Sequence, residues 1–261
     1  MKVAIVQNPE EGSRLAASIF IDQVKQNPKT VLGLATGSTP VKMYKLLADA
    51  CKAGTVSFKE CQSFNLDEYL GLAPEHDQSY HYFMKTQLFD HIDIDQAKTH
   101  VPDGLAKDIG KSCRAYEEAI KAAGGVDIQL LGIGSDGHIA FNEPGCSLAC
   151  RTHSQVLTQQ TIRDNARLFF HDKIEEVPTQ AVTMGIGTIM EARKVVLLAF
   201  GKGKQDAVAG LVEGPVTAMC PCSALQYHND CIVICDEEAA GKLRNKDYYK
   251  YIFSQTGTSN V

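Results

Sequence analysis

The chain is poor in the features that would place it in a membrane, on nucleic acid or around a structural metal. No apolar run in its 261 residues approaches the length of a membrane-spanning helix. The apolar stretch Val3 to Val6 is too short for the core of a signal peptide, and Pro9-Glu10-Glu11 follows at once. No cluster of Lys and Arg appears, and the formal net charge is -5, which argues against nucleic acid as a partner. Among nine cysteines no pair has Cys-x2-Cys spacing. Cys220-Pro221-Cys222 and Cys231…Cys235 are close pairs, and Cys51, Cys61, Cys113, Cys146 and Cys150 are scattered among different elements. All read as reduced thiols of a cytoplasmic protein, with no metal expected. Internal repeats, low-complexity segments and Pro/Gly/Ser-rich linkers are also lacking, which points to one domain over residues 1–261.

What remains is an ordinary globular composition, 44% hydrophobic and 22% charged, with a regular alternation of elements. Strands are expected at Val3–Val6, Thr30–Ala35, Ser63–Leu66 (running into Asp67-Glu68-Tyr69), Val126–Ile133, Ala181–Met184 and Lys194–Phe200, with Ile232–Cys235 closing the sheet. Helices are expected at Glu10–Lys25, Val41–Lys52, Ser79–Phe89, Lys107–Ala122 and Lys204–Val212. Continuous apolar strands separated by helices imply an α/β three-layer sandwich with a mainly parallel, Rossmann-like sheet flanked by helices. Residues 145–180 form a long mixed connection suited to an active-site lid. Ser254 to Val261 reads as a frayed tail.

The richest stretch runs from Leu131 to Pro144. An apolar strand stops at Gly132, Gly134 and Gly137, and Asp136, His138 and Glu143 follow within eight positions. Sites of α/β proteins lie at the carboxyl ends of such strands. Alternation along extended chain would let Asp136 and His138 share one cavity, and the residue types suggest acid–base chemistry. The glycines match a dinucleotide fingerprint, but Cys150 to Arg163 supplies no acid for the ribose, and Asp136 would repel pyrophosphate. The glycines are expected to let the backbone approach a substrate.

Two further strand ends carry chemistry. In Gly33-Leu-Ala-Thr36-Gly37-Ser38-Thr39-Pro40, hydroxyls and backbone N–H groups converge where a helix begins, an arrangement suited to phosphate. Thr39 is placed to cap that helix with Pro40 in its first turn, and the lack of Lys after Gly37 rules out a Walker A loop. Asn65-Leu66-Asp67-Glu68-Tyr69 adds acids at a third strand end. One such carboxylate can take a proton from carbon, although carboxylates there are usually solvated caps. Lys204 after the strand at 194–200, and Arg163 and Arg167 in the long connection, are weaker candidates for phosphate contacts.

Phe64–Tyr69, Gly132–Pro144 and Ser147–Thr152, supported by Thr36–Pro40 and Asn165–Phe170, make the chain similar to the glucosamine-6-phosphate deaminase (isomerase) family over nearly its whole length. The resemblance implies conversion of D-glucosamine 6-phosphate and water to D-fructose 6-phosphate and ammonia, in amino-sugar catabolism, without organic cofactor or metal. It makes His138, held by Asp136 and Glu143, the ring-opening acid–base group, and Asp67 the base acting on carbon. It makes Thr36, Gly37, Ser38, Thr39, Arg167 and Lys204 the phosphate ligands. Some family members are hexamers activated by N-acetylglucosamine 6-phosphate, whose phosphate is held by Ser, Arg, Lys and Thr. Here those positions carry Cys146, His153, Gln155 and Val156, so activation should be weak or absent, with a homo-oligomer left open. Two rivals remain: 6-phosphogluconolactonase, which shares the fold but needs no carbon base, and a sugar-phosphate-sensing regulator, which should carry a helix-turn-helix module.

Overall fold

A computed structural model describes residues 1–258. Its elements run, in chain order, β1 (Lys2–Val6), α1 (Pro9–Gln26), β2 (Val31–Leu34), α2 (Val41–Lys52), β3 (Gln62–Asn65), β4 (Asp67–Tyr69), α3 (Tyr80–Gln87), β5 (Thr99–His100) and α4 (Ile109–Ala122). There follow β6 (Ile128–Leu131), β7 (His153–Val156), α5 (Gln159–Phe169), β8 (Gln180–Thr183), α6 (Ile186–Met190), β9 (Lys194–Ala199), α7 (Gln205–Glu213), β10 (Cys231–Asp236) and α8 (Lys246–Thr256), with short 3-10 turns between. None of these helices is long and apolar enough to cross a membrane.

Seven strands form one parallel sheet in the order β1-β10-β9-β6-β2-β3-β5, flanked by helices. Its central strands are buried throughout, as in the Ile-Gln-Leu-Leu of β6 and the Cys-Ile-Val-Ile-Cys-Asp of β10. Strands covered on both faces carry apolar residues without alternation. From β2 the chain moves outward to β3, whereas from β6 it moves the other way to β9. The sheet therefore has its topological switch point between β2 and β6, where α/β proteins form their crevice.

Several sequence expectations need correction. Phe64–Asn65 and Asp67–Tyr69 are not one strand. The Leu66 N–H still donates to Leu34 O of the parallel sheet (3.1 Å), but its carbonyl accepts from Met184 N (2.6 Å), and Asp67 opens β4 of a second sheet. That sheet, β4-β8-β7, is antiparallel, so the strand expected at Ala181–Met184 lies outside the main sheet. Cys231–Asp236 does not close the main sheet but sits between β1 and β9, and the edges are β1 and β5. The connection at 145–180 contains β7 and α5, whose Ile162 and Ala166 join Tyr69, Phe141 and Phe170 in a second, smaller apolar cluster. Ser254–Thr256 is the last turn of α8, which packs Tyr249 and Phe253 on the main core; Ser259–Val261 lie outside the described residues.

Candidate active site

The loops leaving β2, β3, β6 and β9 at their carboxyl ends meet in a cleft of about 480 Å³. Thr36, Gly37, Ser38 and Thr39 line it from β2, Asp67 from the β3–β4 junction, Ile133, Ser135 and His138 from β6, Lys204 from β9, and Arg167 from α5. All of these but Ile133 and Ser135 are expected site residues, and the fold brings them together. Asp136 and Glu143 do not line the cleft but lie against His138. Arg163 is exposed and bonds Gln160 instead.

The loop after β2 is fixed from below. Tyr44 of α2 is fully buried; its hydroxyl donates to Ala35 O (2.5 Å) and accepts from Ala35 N–H (3.2 Å). Sequence reasoning missed this anchor because Tyr44 reads as one more apolar position of an amphipathic helix. It also misplaced the helix cap. Pro40, in αR conformation, occupies the N-cap of α2, no side chain caps it, and Thr39 faces the cleft instead. Tyr44→Phe should strip both bonds from Ala35. About 1–3 kcal/mol of stability should be lost, measured by urea unfolding, and KM should rise as this cleft-lining loop loosens.

Asp67 is buried, and its exclusion from water, followed by the charge of Glu68, holds its carboxyl well above the usual range. It is not a solvated cap. The pairing of β4 with β8 sets Asp67 opposite Thr183 and draws it out of solvent. Glu68 points elsewhere, accepting the backbone N–H groups of Tyr80 (3.0 Å) and His81 (3.1 Å) at the start of α3. There a carboxylate complements the helix dipole. Tyr80, which also lines the cleft, stacks on Phe141.

Asp136 and His138 meet through a tight turn rather than by strand alternation. Gly134 N–H donates to His138 O (2.8 Å), and Gly137, at φ +88°, donates back to Gly134 O (3.1 Å). A Cβ at Gly134 would lie 2.3 Å from the His138 ring, so this glycine makes room for the imidazole rather than for a substrate. Asp136 Oδ1 lies 2.8 Å from His138 Nδ1, off the N–H direction, and accepts the His138 backbone N–H at 3.1 Å. Burial pushes the Asp136 carboxyl up, but the contacts with His138 outweigh it and hold it at about 2. Asp136 is therefore ionised throughout the physiological range.

Glu143 is buried behind the imidazole. Its Oε1 accepts Thr158 N–H (3.1 Å) at the N-cap of α5. Its Oε2 has no hydrogen-bond partner among the described residues and stands 3.6 Å from His138 Nδ1. Two carboxylates thus flank one ring nitrogen, an arrangement that favours the tautomer with its N–H at Nδ1. Buried Asn142 holds the loop between them, donating to Ile139 O (2.9 Å) and Met184 O (2.8 Å), while Phe141 N–H donates to Thr183 Oγ1 (3.0 Å). The ligand atoms of Asp136, His138 and Glu143 lie within 4.8 Å of one another, so a cation has a candidate seat here. Both acids address the same nitrogen, so the cluster also fits the orienting of one imidazole.

The cationic side of the cleft is Lys204 and Arg167. Lys204 Nζ donates to Ile133 O at 2.7 Å, and burial lowers its pKa. It lies just before α7, not in its first turn. Arg167 is largely exposed and pairs with Asp164 at 3.3 Å. Asp164 and Asn165 also line the cleft; sequence reasoning missed both because α5 shows only a narrow apolar stripe.

A parallel α/β sheet that gathers a carboxylate-flanked imidazole, a buried acid and two cations at its switch point defines an acid–base enzyme. Known proteins make the class specific. Residues 10–234 match the profile of the family described as glucosamine-6-phosphate isomerases/6-phosphogluconolactonase. A glucosamine-6-phosphate deaminase of Shewanella woodyi is 56% identical over 252 residues, covering 97% of this chain and 95% of that one. One from Cellvibrio japonicus is 55% identical over the same shares. A solved structure described as a monomeric glucosamine-6-phosphate deaminase is 45% identical with a TM-score of 0.90, covering 93% of this chain and all (100%) of that one. The 6-phosphogluconolactonase of Trypanosoma cruzi, 24% identical, shares the fold with a TM-score of 0.76 over 93% of this chain and 97% of its own. The chain belongs to the glucosamine-6-phosphate isomerase/6-phosphogluconolactonase family.

Proposed function

We propose that the chain converts D-glucosamine 6-phosphate and water to D-fructose 6-phosphate and ammonia, in the cytoplasm and without cofactor or metal. Buried Asp67, sharing a cleft with His138, is the observation that carries this reading. Lactone hydrolysis needs an activated water but no base for a carbon-bound proton. Isomerisation needs that base, and a carboxylate is stronger where water is kept away.

The bound sugar first opens. His138, steadied by Asp136 and Glu143, carries a proton between the anomeric hydroxyl and the ring oxygen. Asp67 then takes the C2 proton of the open chain, giving an enolamine, and returns it to C1. The resulting C2 imine is hydrolysed, releasing ammonia. Thr36, Gly37, Ser38, Thr39, Arg167 and Lys204 hold the 6-phosphate, with N–H groups, hydroxyls and two cations as donors. The segment 145–180 serves as a lid. Its helix α5 bears Arg167, and its N-cap is tied to Glu143, so phosphate binding and imidazole positioning share one element.

Purified protein should release ammonia and fructose 6-phosphate in equal amounts, unchanged by EDTA. Hydrolysis of 6-phosphogluconolactone without ammonia release would replace this reading with the lactonase one. Neither activity would reopen the sensor reading. Activation by N-acetylglucosamine 6-phosphate should be weak or absent, because Cys146, His153, Gln155 and Val156 supply no phosphate fork. A hyperbolic substrate curve indifferent to the acetylated sugar is expected. A sigmoidal curve straightened by that sugar would contradict it, and sedimentation would settle whether the chain forms a homo-oligomer.

A further inference from the structure

A pair of cysteines stands directly behind the turn that carries Asp136 and His138. Cys220 and Cys222, separated by Pro221, bring their sulfurs to 3.5 Å. Cys222 N–H donates to Gly137 O at 2.9 Å, and Gly145 N–H donates to Ala218 O at 2.8 Å. The segment 217–222 therefore braces the loop 137–145 near both ends. The Cys220 sulfur also fills space that two glycines leave open: a Cβ at Gly137 would lie 2.7 Å from it, and one at Gly210 of α7 2.9 Å. Cys220 is partly exposed and Cys222 buried. The contact with Cys222 is the main reason that the Cys220 thiol pKa is lowered, against burial and the nearby Asp136 charge. The same contact and burial push Cys222 up. A partly exposed cysteine with a lowered thiol pKa beside a buried one with a raised pKa has the division of labour of an attacking and a resolving cysteine.

We propose that Cys220 and Cys222 form a redox-responsive dithiol, oxidised by low-molecular-weight disulfides such as glutathione disulfide, whose closure slows the chemistry at His138. The effect on turnover rests on the function proposed above; disulfide formation does not. The Cys220 thiolate attacks one sulfur of glutathione disulfide, forming a mixed disulfide and releasing one glutathione thiolate. Cys222 gives its proton to a glutathione thiolate and displaces the second glutathione from Cys220. Protein dithiol and one glutathione disulfide become protein disulfide and two glutathiones, with no other oxidant. To bond, the sulfurs must close from 3.5 Å to about 2.05 Å. That movement withdraws Cys220 from between Gly137 and Gly210 and pulls on the Cys222 N–H that holds Gly137. The segment between Asp136 and His138 shifts with it.

The test incubates reduced protein with glutathione disulfide, maps disulfides in peptides, and follows both turnover and the His138 imidazole signals by NMR. A Cys220–Cys222 disulfide, a fall in kcat of about tenfold or more with little change in KM, moved His138 signals, and recovery in dithiothreitol are expected. Cys220→Ser should keep basal turnover and lose the response, and Cys222→Ser, as a second variant, should stop at a glutathione adduct. Failure to form the internal disulfide in folded protein overturns the proposal, as does a disulfide that leaves both turnover and the His138 signals unchanged. If the reduced protein turns over no glucosamine 6-phosphate, the function above fails instead, and disulfide mapping with the His138 signals still decides the switch.

Discussion

Asp67→Asn is expected to lose kcat by about 1,000-fold or more while still binding glucosamine 6-phosphate. General bases contribute about 100- to 10,000-fold, and an amide cannot take a carbon-bound proton. The variant should also be more stable at neutral pH. The folded-state pKa of Asp67 is raised, so the protonated carboxyl is favoured by folding. Its stabilising effect is full at low pH and is lost as pH rises through that raised value. Asparagine is neutral at every pH and escapes this loss. The Tm of Asp67→Asn should therefore exceed that of the wild type at pH 7, by about 2–4 °C for each kcal/mol recovered. The gap should narrow on acidification. A variant that is less stable at pH 7, or that turns over near the wild-type rate, would remove Asp67 from this role.

His138→Gln should be nearly as damaging on the cyclic substrate, about 100- to 1,000-fold in kcat, for a different reason. It removes the group proposed to move a proton between ring oxygen and anomeric hydroxyl, and leaves Asp67 in place. Ring opening then limits the rate. A deuterium effect from substrate labelled at C2 should consequently shrink toward unity in His138→Gln, and substrate presented in open-chain form should partly rescue it. A full isotope effect with no rescue would assign His138 to a later step.

These two residues also differ in how far the sequence reveals them. His138 sits between Asp136 and Glu143 in one short stretch, so the cluster is visible without a fold. Its geometry is not. The turn closed by Gly134 and Gly137 depends on positive φ and on the width of an imidazole, which strand alternation does not describe. Asp67 is the reverse case. Its neighbourhood in sequence is polar, and only pairing with β8, far along the chain, buries it. Resemblance singled it out where local pattern could not. The parallel sheet was legible because its strands are apolar on both faces. β5 was missed because a two-residue strand has no period, and β7 and α5 because their exposed faces are polar and their buried faces narrow. Pro40 displaced Thr39 from the cap because its ring already fixes the helical φ.

One side-by-side measurement tests the role of this cleft most directly: ammonia and fructose 6-phosphate released from glucosamine 6-phosphate, in the presence of EDTA, by the wild type and by Asp67→Asn. The wild type should release the two products in equal amounts, and the variant should bind substrate but release both about 1,000-fold or more slowly. Absence of both products from the wild type, or comparable release by the variant, would contradict the assignment of this cleft.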